Sequence, residues 1–344
     1  MGAAGGRNAG SEREGRDALR KSRASRSRAV VAALCTLGAL GGLIAGARAV
    51  PTAVLLDARG PIPEAQFGSE LRGAGELTGT TTRRILHFTF DDGPDEEYTP
   101  RLLDALDAAG FKATFFFSTS RFDPTQRRHA YAPRLALEVA RRGHQVGSHG
   151  FDHVRMSRLR PPELDHQLTQ SEAMFASVFG TRTFLYRPPF GSRNAALDRR
   201  LAERGYATVM WNIGMADWVE REPDQVRRTF WRALERNERD AGDRGGIVLM
   251  HDTHAWSVPA FELIAESIAA RNCQLLAADE ELYDVVDSMA PWVTPPAPDD
   301  SDGFHRERQA SLRARARARC AREEGAGSLV SGPTTSGGPS KKSE

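Results

Sequence analysis

Between residues 83 and 290 the chain alternates between two patterns of apolar and polar positions. Short runs rich in β-branched and aromatic residues recur at 85–90, 113–117, 145–147, 183–186, 207–211 and 247–250, with a weaker seventh at 275–277. Runs of this length, bounded by turn residues, predict strands. Longer stretches with helical spacing lie between them, at 99–109, 134–142, 161–179, 195–204, 223–239 and 259–271. Gly110, Gly143, Gly180 and Gly205 stand where four of these helices should stop. Regular strand–helix alternation predicts a parallel α/β fold. No glycine-rich nucleotide fingerprint follows the first strand, which counts against a dinucleotide-binding sheet. A (β/α) barrel fits the pattern better.

The flanks follow neither period. Residues 1–28 are polar and Arg-rich, and 29–47 carry no charge. A basic region before an apolar run is the pattern of an export signal. With Ala47-Arg48-Ala49 as a cleavage site the run is a signal peptide; retained, it is just long enough to anchor the chain in a membrane. Residues 50–82 mix Pro, Gly and Thr and read as a linker or a loose first layer. Residues 291–344 are poor in large apolar side chains and rich in Arg, Ser and Gly, so a mostly disordered tail is expected, with a short helix around 306–323.

Composition alters this picture little. The formal charge of the 344 residues is +2, and much of the basic excess sits in the two ends, which gives no reason to infer nucleic-acid binding. The three cysteines, Cys35, Cys273 and Cys320, form no CxxC pair. Neither a structural zinc site nor a disulfide framework is expected, although an oxidising compartment would permit a bridge between Cys273 and Cys320.

The candidate chemistry falls where a barrel would put it, directly after the strands. Asp91-Asp92-Gly93-Pro94 follows the first strand, His149 and His153 the third, and Arg187-Pro188-Pro189-Phe190 the fourth. Asp217-Trp218 comes soon after the fifth, and His251-Asp252-Thr253-His254 follows the sixth. Adjacent carboxylates resist joint ionisation unless a cation or another partner stands between them. Two imidazoles four residues apart, with one carboxylate, make a common catalytic metal set with positions left for water and substrate. His251, at a strand end, is placed as a general acid, with Asp217 to orient it and Arg187 to pair with a carboxylate. Each also has a plainer reading: the Asp pair as a helix cap, His149 and His153 as surface residues, His251 as a structural histidine, Arg187 as surface, and Trp211 and Trp218 as core. His254 is a secondary candidate near the site.

Taken in order, Thr89-Phe-Asp-Asp-Gly-Pro94, His149-x-x-x-His153, Arg187-Pro-Pro-Phe190, Asp217-Trp218 and Leu249-Met-His251 resemble the five motifs of the polysaccharide deacetylases, the NodB-homology group or carbohydrate esterase family four. The resemblance covers about 83–290. It implies a distorted (β/α) barrel of seven or eight strands, with the active site at the C-terminal ends of the strands. It implies a divalent metal on Asp92, His149 and His153, most often zinc, with cobalt, manganese or nickel as alternatives. Asp91 would be the catalytic base, oriented by Arg187, and His251 the general acid, held by Asp217. A backbone N–H near Phe190 would face the oxyanion, and Trp218 and Leu249 would line the acetyl pocket. The implied partner is an acetylated glycan of the cell envelope or outside the cell. The implied reaction is N-deacetylation by an exported enzyme, periplasmic, envelope-bound or secreted. O-acetyl (xylan) esterase, small-molecule amidase and non-catalytic glycan-binding module remain as alternatives. Two positions depart from the pattern. Gly150 stands where a hydroxyl residue usually follows the first histidine, and Gly214 stands where an earlier aspartate is often found.

Overall fold

The structure is a computed structural model that describes residues 60–293 and 301–330. Nine strands form one sheet: β1 (Glu76–Leu77), β2 (Ile85–Asp91), β3 (Ala113–Phe117), β4 (Gln145–Ser148), β5 (Leu185–Tyr186), β6 (Ala207–Val209), β7 (Ile213–Gly214), β8 (Gly246–His251) and β9 (Asp284–Val285). Their order is β1-β6-β5-β4-β3-β2-β8-β7, with β9 paired to the start of β2, and the pairings are parallel. The helices are α1 (Tyr98–Ala109), α2 (Ala132–Arg141), α3 (Pro161–Phe179), α4 (Ala195–Glu203), α5 (Pro223–Ala241), α6 (Ser257–Ala277) and α7 (Ser301–Val330). The curled sheet with its helices is the distorted (β/α) barrel expected from the sequence.

Every residue of β2 and β3 is buried, as happens when a parallel strand is covered on both faces. Side chains alternate between those faces. Phe88, Phe90, Phe115, Phe117, Val248 and Met250 point to the large core beneath the helices, where Phe230 and Phe261 meet them. Phe116 and Ile247, from the alternate positions, enter a separate core with Leu185, Ala207 and Val209. The same period puts Thr89 and Asp91 of β2, and Leu249 and His251 of β8, on the face opposite the helices. At the other end of β2, His87 shares that face. Its ring nitrogens are satisfied by Val286 O and Thr114 Oγ1, both at 2.8 Å, which makes it a structural histidine.

Three expectations change. The run 275–277 is the last turn of α6, not a strand, because Ile264, Ile268 and Leu275 continue the buried face of that helix. The described part of 50–82 is no linker: β1 pairs with β6, and Phe67 and Leu71 are buried. Residues 301–330 form the long helix α7 where a tail with only a short helix was expected; the rest of that expectation, at 294–300 and 331–344, lies outside the described residues. Arg308 donates to both carboxylate oxygens of Asp284 (2.6 and 2.9 Å), and the Gln309 side chain bonds the backbone N–H and C=O of Leu282. A disulfide does form, between Cys273 and Cys320, the pair that an oxidising compartment would permit, and it ties α7 to α6. No helix among the described residues is long and apolar enough to cross a membrane. The segment 29–47 lies outside them.

Candidate active site

The β2–β8 ladder aligns Asp91 with His251 as direct register partners at the C-terminal ends of both strands. Neighbouring strands lie ~4.8 Å apart, so the expected base and acid stand side by side on one face.

Arg187 holds the base. Its guanidinium donates to Asp91 Oδ1 (2.8 Å), Thr89 Oγ1 (2.6 Å), Val209 O (3.0 Å) and Met210 O (3.0 Å). The cation lies 4.3 Å from the centre of the Phe116 ring and is fully buried. A buried charge this well bonded is tolerated; a single missing partner would not be. The other oxygen, Asp91 Oδ2, is 3.7 Å from His149 Nε2.

Asp92, His149 and His153 converge, their ligand atoms all within 4.8 Å of one another. Asp92 Oδ1 is 3.0 Å from His153 Nε2 and 3.5 Å from His149 Nε2. That oxygen is buried and has no hydrogen-bond donor. His149 Nδ1 lies 2.8 Å from Arg187 O and donates to it, which leaves a lone pair on Nε2 facing the carboxylates. Burial depresses the affinity of His149 for a proton, against the pull of Asp91 and Asp92, and favours the neutral ring. Burial opposes the charge of Asp92, but His153, His149 and His251 outweigh it and hold its carboxyl far below the ordinary range. A donor-less buried oxygen facing two imidazole nitrogens fits a divalent cation.

The backbone is shaped for these placements. Among the described residues, the non-glycine residues with positive φ are Asp92 (77°), His153 (54°), Phe190 (60°), Ala216 (54°) and Asp279 (54°). The first four belong to the site or adjoin it. Such conformations cost about 1–3 kcal/mol each and cluster where geometry serves function. Gly93 allows the turn after Asp92 to pass Asp252, because a Cβ there would overlap the Asp252 carboxylate. Asp252 accepts a bond from Thr99 Oγ1 (2.5 Å), and burial pushes its carboxyl up to about 7.

His251 is held twice by the fully buried Asp217: Nδ1 donates to Oδ1 (2.9 Å), and the backbone N–H donates to Oδ2 (2.8 Å). Burial lowers the proton affinity of His251. The hydrogen bond and charge of Asp217, together with Asp91 and Asp92, overcome this and raise its pKa to about 9. The exposed large hydrophobic side chains among the described residues are Phe190 (51 %), Trp218 (51 %) and Val219 (66 %), all at this end of the barrel. Phe190 packs on His153 with ring centroids 4.5 Å apart, and Trp218 meets His251 edge-on at 5.6 Å. Leu249 is buried two residues before His251 on the same face of β8. All ten residues singled out from the sequence thus lie at or beside one strand-end cluster.

A family model described as polysaccharide deacetylase matches residues 78–209. A peptidoglycan-N-acetylglucosamine deacetylase of Bacillus cereus is 32% identical over 188 residues, covering 53% of this chain and 82% of that protein. The chain belongs to the polysaccharide deacetylase family. A chitin deacetylase of a Pestalotiopsis species is 32% identical over 194 residues, or 56% of this chain and 61% of that one. Two further curated relatives are longer, and the chain spans 40% of each. A solved peptidoglycan N-acetylglucosamine deacetylase shares the fold, with TM-score 0.50 and 24% identity over 59% of this chain and 89% of that one.

Within this member of the polysaccharide deacetylase family the two departures have local explanations. Gly150 has φ 78°, and the hydroxyl near it comes from Ser148, whose Oγ accepts from Gly150 N (3.2 Å) and contacts Ser171 Oγ (2.7 Å). At Gly214 a side chain would press on Trp211, whose Nε1 lies 3.3 Å from where its Cβ would stand. Trp256 escaped the sequence reading, Thr89 stood there only inside a motif, and Arg155 and Arg221, exposed beside the site, were not singled out. Thr89 receives Arg187. Trp256 donates to Asp217 O (2.7 Å) and stacks on His254 with centroids 4.9 Å apart. Arg155 and Arg221 lie over the rings of Phe190 and Trp256. For Arg155 the sequence held one signal, its place two residues after His153.

Proposed function

We propose that this chain is a metal-dependent hydrolase that removes N-acetyl groups from the amino sugars of a cell-envelope or extracellular polysaccharide. The observation that carries the reading is the register pairing of Asp91 with His251 beside the Asp92–His149–His153 cluster. The peptidoglycan and chitin deacetylases among its relatives support the substrate class.

Two imidazoles and a carboxylate suit zinc first, and a divalent cation held by Asp92, His149 and His153 would supply Lewis acidity toward the acetyl carbonyl and a water. Asp91, with Oδ1 fixed by Arg187, offers Oδ2 to take the proton of the attacking water. A backbone N–H at the Phe190 turn is assigned to the developing oxyanion, an interaction worth ~2.7–4 kcal/mol per donor. His251 keeps Nδ1–H on Asp217 and delivers the Nε2 proton to the amide nitrogen as the C–N bond breaks. Acetate and a free amine result. The half-exposed faces of Trp218 and Phe190 form walls for the apolar side of a sugar ring, and Leu249 lines the acetyl methyl pocket. Export is part of the proposal. The disulfide belongs to an oxidising compartment, in keeping with the basic and apolar N-terminal pattern.

The test is acetate release from N-acetylglucosamine oligomers by the chelator-treated chain, with and without added zinc. Zinc-dependent release that falls at least 100-fold in Asp92→Ala is expected. Release that ignores both the chelator and the substitution would sink the metal assignment. Release from acetylated xylan alone would move the reaction from an amide to an ester.

A further inference from the structure

Arg155 and Arg221 come from different loops and share one arrangement. The Arg155 guanidinium lies 4.3 Å from the centre of the Phe190 ring, and that ring packs on His153. The Arg221 guanidinium lies 5.6 Å from the centre of the Trp256 ring, which stacks on His254 beside His251. Both arginines are exposed, and neither has an ion-pair partner among the described residues. The nearest carboxylate in sequence to Arg155, Asp152, is taken by Gln167 Nε2 at 2.9 Å. Glu220 and Glu222 flank Arg221 without pairing to it. One cation therefore stands on the metal-ligand side of the site and one on the general-acid side, each on an aromatic ring that touches a site histidine.

A guanidinium lying over a ring keeps its charge and its in-plane N–H groups, and the fork of those donors matches a carboxylate in bidentate fashion. Stacking also limits the rotamer freedom that an arginine would otherwise lose on binding. Two separate forks suit two separate monoanions better than one phosphate, which is usually met by clustered cations or a nest of backbone N–H groups. Resting on the deacetylase reading, we propose that Arg155 and Arg221 make this site selective for glycans that carry carboxylates next to the acetylated amino sugar, over neutral N-acetylated polymers. The carboxylate has two sources, an ether-linked acid on the sugar itself or a peptide attached to it.

The experiment measures both Kd and kcat/KM of the zinc-loaded full chain at low and moderate salt. Its probes are a neutral N-acetylglucosamine hexamer, peptidoglycan strands with peptide stems, strands stripped of stems, and both strand types with carboxyls converted to methylamides. The wild type is expected to favour native strands over amidated ones by about 10-fold, with the preference shrinking as salt rises. Arg155→Gln and Arg221→Gln should each remove much of the preference, mainly through KM, and the double variant should abolish it. All variants should stay within about twofold of wild type on the hexamer. Arg155→Lys, with charge but no fork, should fall between. Preference retained on stripped strands assigns the carboxylate to the sugar, and preference present only with stems assigns it to the peptide. Equal treatment of native and amidated strands by the wild type would overturn the proposal. So would losses in the variants that are the same on the hexamer. Carboxylate-dependent binding without acetate release would keep the selectivity and discard the reaction. Acetate release without any preference would do the reverse.

Discussion

At the residue scale, the properties of His251 arise from Asp217. Alone, a buried imidazole would be driven toward its neutral form. Here the buried carboxylate at 2.9 Å reverses that, and the pKa rises to about 9. A raised value means that the folded state binds the proton more tightly than the unfolded chain. The resulting stability is fully present below the ordinary histidine pKa of ~6.5 and is lost as pH rises through about 9. In the metal-free protein, NMR titration of His251 should therefore show a midpoint near 9. Asp217→Asn should move it down by more than one unit, because only the charges of Asp91 and Asp92 then oppose burial, and should lower kcat. A midpoint unchanged in Asp217→Asn would show that Asp217 does not set the charge. The pairing itself was legible in the sequence, since both residues follow strands. The size of the shift was not, because it depends on Asp217 being wholly buried.

At the element scale, α7 shows where pattern reading stops. Its Arg-Ala repeats present no apolar stripe, so helical period gave little signal and a solvated tail was the natural reading. What secures the helix is nonlocal: the Arg308–Asp284 fork, the Gln309–Leu282 bonds and the bridge between Cys273 and Cys320. Closing a loop across 47 positions stabilises a fold by roughly 4 kcal/mol in the chain-entropy account. Cys320→Ser, or a thiol reductant, should lower the midpoint of thermal unfolding. Acetate release at room temperature should stay within about twofold, because α7 contributes no residue to the site. A thermal midpoint insensitive to reductant would mean that the bridge does not restrain the unfolded chain. The run 275–277 failed for a related reason: three apolar residues fit either period, and burial against α5 and α1 decided for helix.

At the scale of the whole molecule, the candidate metal site joins the end of β2 to the loop after β4, segments far apart in sequence. A cation bound there adds a tie that the unfolded chain lacks. At a free zinc concentration 100 times Kd the fold should gain about 2.7 kcal/mol. Thermal unfolding with and without zinc measures this, and the increment should vanish in His149→Ala. An equal zinc shift in that variant would place the cation elsewhere.

The sequence by itself determined the alternation of strands and helices, the order of the five motifs and the residue types that can hold a metal and move protons. These are local properties, written in periods of two and 3.6 residues and in the polar residues that come directly after each strand. Only the tertiary structure decided that Asp91 faces His251, because register depends on how separate strands slide against one another. It also decided that Ser148 supplies a hydroxyl beside Gly150, that β1 completes the sheet, and that Arg155 and Arg221 rest on rings at the site. Each of these is a contact between distant segments, and its energy comes from burial and geometry that no short window of sequence contains.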